Sequence, residues 1–297
     1  MPARIATARA GAARSAVPVL LLTVLSLLAA GCGVSTVSTG HGTASRTITI
    51  MVDGRQRSYL LEPATGLARG KKAALVAVLH QEGGTPEGVA KETGLQELRT
   101  SGATLIYPAG YDHSWDAGLC CGVPSRERVD DVRFLDAAFA DAARRAPVDT
   151  HREALVGYSS GGMLTYHYVC ARPGRLAVAV VVSGSLESAC DAGITVPDVL
   201  TLHGKADGTI GLDRPIFISK LGLAPRPAAS TLGILTTSAG CDKGVTTQIL
   251  GAEERRWQGC RGGTVEALLI PDAGHGWGNL DASRRTLAFL RLKLLAG

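Results

Sequence analysis

A chain of 297 residues with 45% hydrophobic and 19% charged side chains can bury one sizeable core, and a single α/β unit of catalytic size accounts for that length. Its formal charge of +5 includes no Lys/Arg cluster and no basic stripe interleaved with aromatics, so nothing electrostatic points to nucleic acid.

At the N-terminus Arg4, Arg9 and Arg14 precede the apolar run 17–30, which ends in small residues. This is the layout of a secretory signal, assigned to residues 1–31. The alternative, a transmembrane helix, needs roughly 20 apolar residues, and this run is shorter and contains Pro18. The stretch Leu28-Ala29-Ala30-Gly31-Cys32 resembles a bacterial lipoprotein signal. That resemblance implies cleavage before Cys32 and diacylglycerol on its thiol, anchoring the protein to the outer face of the cell membrane. Ala29 stands where Leu is usual, and a plain signal peptide releasing a secreted protein is the other reading. Removal of the signal takes three arginines with it, leaving 28 basic against 26 acidic residues.

Residues 32–46 are small, polar and rich in Gly, Ser and Thr, too poor in large apolar groups to offset the entropy of ordering, and read as a flexible tether. The catalytic domain is expected over 47–297. Strand-like runs follow at 47–52, 58–61, 73–79, 103–107, 154–158, 177–182, 199–202 and 265–270, several of them continuously apolar. Continuous apolar runs suit parallel strands covered on both faces. Helical stretches lie near 129–145, 160–171 and 282–295, with Asp130 or Asp131 placed to cap the first. Strand and helix alternate, which predicts an α/β fold with a mostly parallel central sheet and helices on both faces. Residues 211–235 show no clear periodicity and read as an insertion.

Beyond Cys32 six cysteines remain, an even number that favours disulfides in an exported chain. No C-x-x-C pair has zinc-ligand spacing, so no metal is expected. Cys241 and Cys260 bracket one polar stretch and are the expected pair; the partners of Cys120, Cys121, Cys170 and Cys190 stay open.

Gly157-Tyr158-Ser159-Ser160-Gly161 follows a strand candidate and precedes a helix candidate, the setting of a G-x-S-x-G nucleophile elbow, although a Gly/Ser-rich turn would look similar. An elbow enzyme needs an acid and then a histidine at later strand ends. Asp207, in the His203-Gly204-Lys205-Ala206-Asp207 loop after 199–202, and His275, in the glycine-rich loop after 265–270, occur in that order. The expected catalytic groups are therefore Ser159 as nucleophile, His275 as base and Asp207 as acid, with Asp213 as a fallback acid. The expected oxyanion donors are the backbone N–H groups of Ser160 and, in the loop after 73–79, Gln81. His80 precedes the serine and is in the wrong order for the base. Trp115 and Trp277 are candidates to line an acyl or sugar pocket, with core packing as the other reading.

Taken with residues 115–122 (WDAGLCCG) and 130–135 (DDVRFL), these motifs resemble the polyhydroxybutyrate-depolymerase and feruloyl-esterase-like family of α/β-hydrolase serine esterases over roughly 47–297. The resemblance implies an extracellular ester hydrolase with no metal and no organic cofactor; it does not carry the substrate over, and the expected function is hydrolysis of a carboxylic ester of polyester, feruloyl or acetyl-polysaccharide type, polymeric or not. Relatives place glycine directly after the first-loop histidine and a proline soon after the acid, whereas this chain has Gln81-Glu82 and Gly208-Thr209-Ile210-Gly211-Leu212. Two other functions fit the same residues: a non-catalytic surface lipoprotein that binds a partner on a hydrolase scaffold, and an acyltransferase using the same triad. The N-terminal reading predicts that metabolic labelling with a radioactive fatty acid marks the wild-type chain and not Cys32→Ala. Equal labelling of both would remove the anchor.

Overall fold

The computed structural model describes residues 44–296, so the expected signal, Cys32 and the tether up to residue 43 lie outside the described residues. Strand β1 (Arg46–Val52) begins one residue before the expected domain boundary and turns through Asp53 and Gly54, both at positive φ, into β2 (Arg55–Glu62). Then come β3 (Ala73–Leu79), α1 (Pro86–Thr93), a 3-10 turn (Leu95–Ser101), β4 (Ala103–Pro108), α2 (Gly122–Glu127), α3 (Asp131–Arg145) and β5 (Val148–Tyr158). The chain continues through α4 (Ser160–Ala171), β6 (Val178–Val182), β7 (Asp198–Gly204), α5 (Ala228–Ser238), β8 (Val245–Ile249), β9 (Ala252–Trp257), β10 (Val265–Ile270) and α6 (Ala282–Leu290), which ends in a π turn.

Among the described residues ten strands join one sheet in the order β1-β2-β4-β3-β5-β6-β7-β10-β9-β8. The six from β4 to β10 are mutually parallel, and antiparallel hairpins close both edges. β3, β4 and β6 are buried at every residue because helices cover both faces. Helices α3, α4 and α5 pack on one face through Phe134, Leu135, Leu164 and Leu232. On the other face α1, the 3-10 turn and α6 contribute Val89, Leu98, Leu287 and Phe289. Each such apolar side chain contributes about 1.5–3 kcal/mol on full burial. Among the described residues no helix is long and apolar enough to cross a membrane.

Several elements escaped the sequence reading. The β8–β9 hairpin carries Thr-Thr-Gln and Glu-Glu-Arg-Arg in place of apolar alternation, because β8 is exposed throughout and ion pairs such as Lys205–Glu253 and Arg256–Glu266 line β9. Residues 211–235 are not a separate insertion: the loop ends at Pro227 and α5 begins, built from small and Thr residues whose pattern is nearly featureless. Helix α1, not among the expected helices, carries local signals of its own, with Thr85 Oγ1 accepting from Gly88 N, Pro86 in the first turn and Gly94 at φ 65° ending it. Cys241 bonds Cys260, and the cysteines left open pair as Cys170–Cys190 and Cys120–Cys121, the latter across a cis peptide.

Of the two aspartates before α3, Asp130 is the cap and accepts from Arg133 N at 2.9 Å. Asp131 turns inward: it pairs with the buried Arg57 at 2.6 Å, its other oxygen accepts from Asp116 N at 2.7 Å, and the Arg57 guanidinium lies 3.8 Å over the Phe134 ring. This pair ties β2 to the loop that carries the Cys120–Cys121 bond. Asp131→Ala would strand a buried cation and is expected to cost about 3–5 kcal/mol in urea unfolding. Arg57→Met with Asp131→Leu is expected to cost clearly less than Asp131→Ala alone.

Candidate active site

β5 runs directly into α4 through Ser159, whose backbone adopts φ 54° and ψ −116°, a conformation non-glycine residues avoid. The turn closes because its flanking residues lack side chains. A Cβ on Gly157 would overlap the Gly161 carbonyl and the Thr165 hydroxyl, and one on Gly161 would sit 2.6 Å from the His80 carbonyl oxygen. The Ser159 N–H is held by Val182 O at 2.9 Å, and its carbonyl accepts from Met163 N at 2.9 Å.

The three expected groups meet above this turn. His275 Nε2 lies 2.9 Å from Ser159 Oγ, and His275 Nδ1 lies 2.8 Å from Asp207 Oδ2. With Asp207 as acceptor, Nδ1 carries the proton and Nε2 presents its lone pair to the hydroxyl. Asp207 is buried, which pushes its carboxyl up, but the bond and charge of His275 and the N–H donors of Thr209 and Ile210 outweigh that. The carboxyl therefore lies below its ordinary range and stays ionised. Asp213, the fallback, is exposed farther along the same loop.

Two buried side chains that the sequence reading gave no role support these groups. His203, at the end of β7, lies with Nε2 2.8 Å from the Ile210 carbonyl, while the Ile210 N–H donates to Asp207 Oδ1 at 2.9 Å. Burial holds this imidazole below its ordinary pKa, so it is the neutral donor. Tyr158 places its ring 5.9 Å from that of His275. A histidine at a strand end and an aromatic inside the elbow were both visible, but nothing in their spacing announced these partners.

The tryptophans correct an expectation. Trp115 is 0% and Trp277 2% exposed, so neither offers a face to a substrate. Trp277 packs edge-on to Tyr158 at 6.0 Å and donates Nε1–H to Ser283 Oγ at 2.8 Å, and Ser283 donates to Thr93 O at 2.7 Å. Trp115 packs on the His80 ring at 4.7 Å and donates Nε1–H to the His80 carbonyl at 2.8 Å. Both indoles are loop anchors.

Ser160 opens α4, so its N–H has no carbonyl one turn back to bond. Gln81 follows β3, and among the described residues its N–H makes no hydrogen bond, while its carbonyl lies 2.7 Å from His80 Nδ1 and accepts from Gly84 N at 2.9 Å. The arrangement can carry nucleophilic chemistry: a serine, a histidine within reach of its hydroxyl, an ionised acid, and free backbone donors at both expected oxyanion positions. Among the described residues no cluster of His, Cys, Asp and Glu could hold a metal.

No family model matches the chain. A protein named "Putative esterase NocK" from Nocardia uniformis is 31% identical over 247 residues, covering 76% of this chain and 68% of that one. "Feruloyl esterase C" of Emericella nidulans is 28% identical over 206 residues, covering 64% and 73%. In structure the chain is similar to an acetyl xylan esterase from Aspergillus awamori (TM-score 0.55, 16% identity, 82% of this chain and 99% of that one). It is also similar to an S-formylglutathione hydrolase from Agrobacterium tumefaciens (TM-score 0.57, 12% identity, 86% and 97%). At such identities these structures support the α/β-hydrolase fold.

The geometry predicts that Asp207→Asn slows covalent labelling of Ser159 by an alkyl fluorophosphonate by roughly 10³–10⁴-fold, because an amide cannot hold the imidazole in the base tautomer. Asp213→Asn is expected to label at the wild-type rate. The reverse pattern would move the acid to Asp213.

Proposed function

Because this chain belongs to the feruloyl-esterase-like family of α/β-hydrolase esterases, we propose that it is an exported, lipid-anchored carboxylic ester hydrolase working through an acyl-enzyme on Ser159. The observation that most supports this reading is the unbroken chain Asp207–His275–Ser159, with links of 2.8 and 2.9 Å. In the proposed reaction His275 Nε2 takes the Ser159 proton as Oγ attacks the ester carbonyl carbon, and ionised Asp207 stabilises the imidazolium. The carbonyl oxygen, now negative, is met by the N–H groups of Ser160 and Gln81. On collapse the imidazolium returns the proton to the departing alkoxide. Water, activated by the same imidazole, then adds to the acyl carbon and frees Ser159.

The relatives named as feruloyl esterases, and the fold neighbour named as an acetyl xylan esterase, favour hydroxycinnamoyl or acetyl esters of polysaccharides as the first substrates to try. Cys32 and the tether of residues 32–46 would hold the domain at the membrane surface while leaving it free to reach an insoluble polymer.

The decisive assay uses the soluble domain with p-nitrophenyl acetate, methyl ferulate and acetylated xylan. Wild type should turn over, and Ser159→Ala and His275→Ala should each lower kcat on the order of 10⁶-fold. A folded wild type that neither hydrolyses these esters nor takes up a fluorophosphonate would overturn the catalytic reading. Product analysis with added alcohol separates hydrolysis from acyl transfer.

A further inference from the structure

We propose that Trp115 is a positioning residue: through its indole N–H it holds the His80–Gln81 peptide in the plane that aims the Gln81 N–H at the oxygen of the tetrahedral intermediate. This goes one step deeper than the esterase reading and rests on it.

A trans peptide carries its carbonyl and its N–H on opposite sides. The His80–Gln81 peptide is trans, and its carbonyl accepts from Trp115 Nε1 at 2.8 Å. An anchor on that oxygen therefore determines where the Gln81 N–H points. That N–H makes no hydrogen bond among the described residues. The same carbonyl lies against the elbow, since a Cβ on Gly161 would come within 2.6 Å of it. The anchored peptide and the first turn of α4 are thus direct neighbours.

The next peptide is held independently. His80 Nε2 accepts from Gly110 N at 3.0 Å, which leaves the ring proton on Nδ1, 2.7 Å from the Gln81 carbonyl. Burial, with a smaller contribution from the charge of His113, lowers the His80 pKa to about 4, so the ring stays neutral and its Nδ1–H stays a donor at neutral pH. Gln81 is consequently clamped on both sides, by the indole before its Cα and the imidazole after it. A loop with glycine after the histidine would be free to sample other peptide orientations; here Gln81 has a side chain and two external anchors.

Trp115 itself is well placed to act as a fixed strut. It is fully buried, and its own carbonyl accepts from Cys121 N at 2.7 Å. The loop behind it is fastened through Asp116 to Asp131 and Arg57.

The cleanest test replaces Trp115 with 3-benzothienylalanine, which keeps the bicyclic shape and puts sulfur where the N–H was; Trp115→Phe is the simpler companion. Both should lower kcat for p-nitrophenyl acetate about 10–100-fold with KM within about twofold, short of the full loss of an oxyanion donor. Affinity for a trifluoromethyl ketone, which forms a reversible tetrahedral adduct, should fall by the same factor as kcat/KM. His80→Asn, which can still donate to the Gln81 carbonyl, should stay closer to wild type than His80→Leu. A benzothienylalanine variant with wild-type kcat and wild-type ketone affinity would overturn the proposal, as would a lowered melting temperature with unchanged kcat per folded molecule. Because each comparison is made against an active wild type, failure here leaves the esterase assignment standing. An inactive wild type fails that assignment instead.

Discussion

The site depends on one close backbone approach, the turn that carries Ser159 from β5 into α4. Its φ of 54° places the serine in a region that costs on the order of 1–3 kcal/mol and persists only when the surroundings impose it. Those surroundings are the missing Cβ atoms of Gly157 and Gly161, which let the turn fold back on the Thr165 hydroxyl and against the His80 carbonyl. A side chain at either glycine would push α4 off the ends of β3 and β5. The exposed hydroxyl and the free N–H of Ser160 are then consequences of geometry that the parallel sheet holds rigid.

Around that turn, loops from four strand ends are fastened by polar groups on buried side chains. The loop after β3 hangs on Trp115 and His80, the loop after β7 on His203, and the loop after β10 on Tyr158 and Trp277. The loop after β6 joins them through Glu187, whose carbonyl accepts from Leu119 N and whose carboxylate accepts from Ser185 Oγ and Arg226 N. Three histidines on one sheet edge have three different tasks, set by what each nitrogen faces. His275 faces a carboxylate and a hydroxyl, His80 faces the Gln81 carbonyl and the Gly110 N–H, and His203 faces the Ile210 carbonyl, the last two kept neutral by burial.

The parts of this arrangement that were legible in the sequence are those written as local pattern. The parallel strands appear as apolar runs because both faces are covered, and Ser159, Asp207 and His275 appear as polar residues beside glycines at strand ends in the order expected of a nucleophile, an acid and a base. The β8–β9 hairpin was not legible because an exposed edge strand needs only ladder hydrogen bonds and cross-strand charge pairs, which leave no hydrophobic period. The roles of His203 and Trp115 were not legible either, since their partners are backbone carbonyls 7 and 35 residues away. A side chain's identity does not say which carbonyl it will meet.

The tryptophans show how this matters for function. With only three in the chain and 4% aromatic residues overall, it is natural to assign them to a flat substrate, and two of them stand in the active-site loops. Burial removes that option, because an indole at 0–2% exposure has no face left to offer. What it has is one N–H that must be satisfied inside the protein, and in both cases the partner lies on a neighbouring loop or helix. A buried tryptophan thus joins two segments with a large apolar contact and one directional bond.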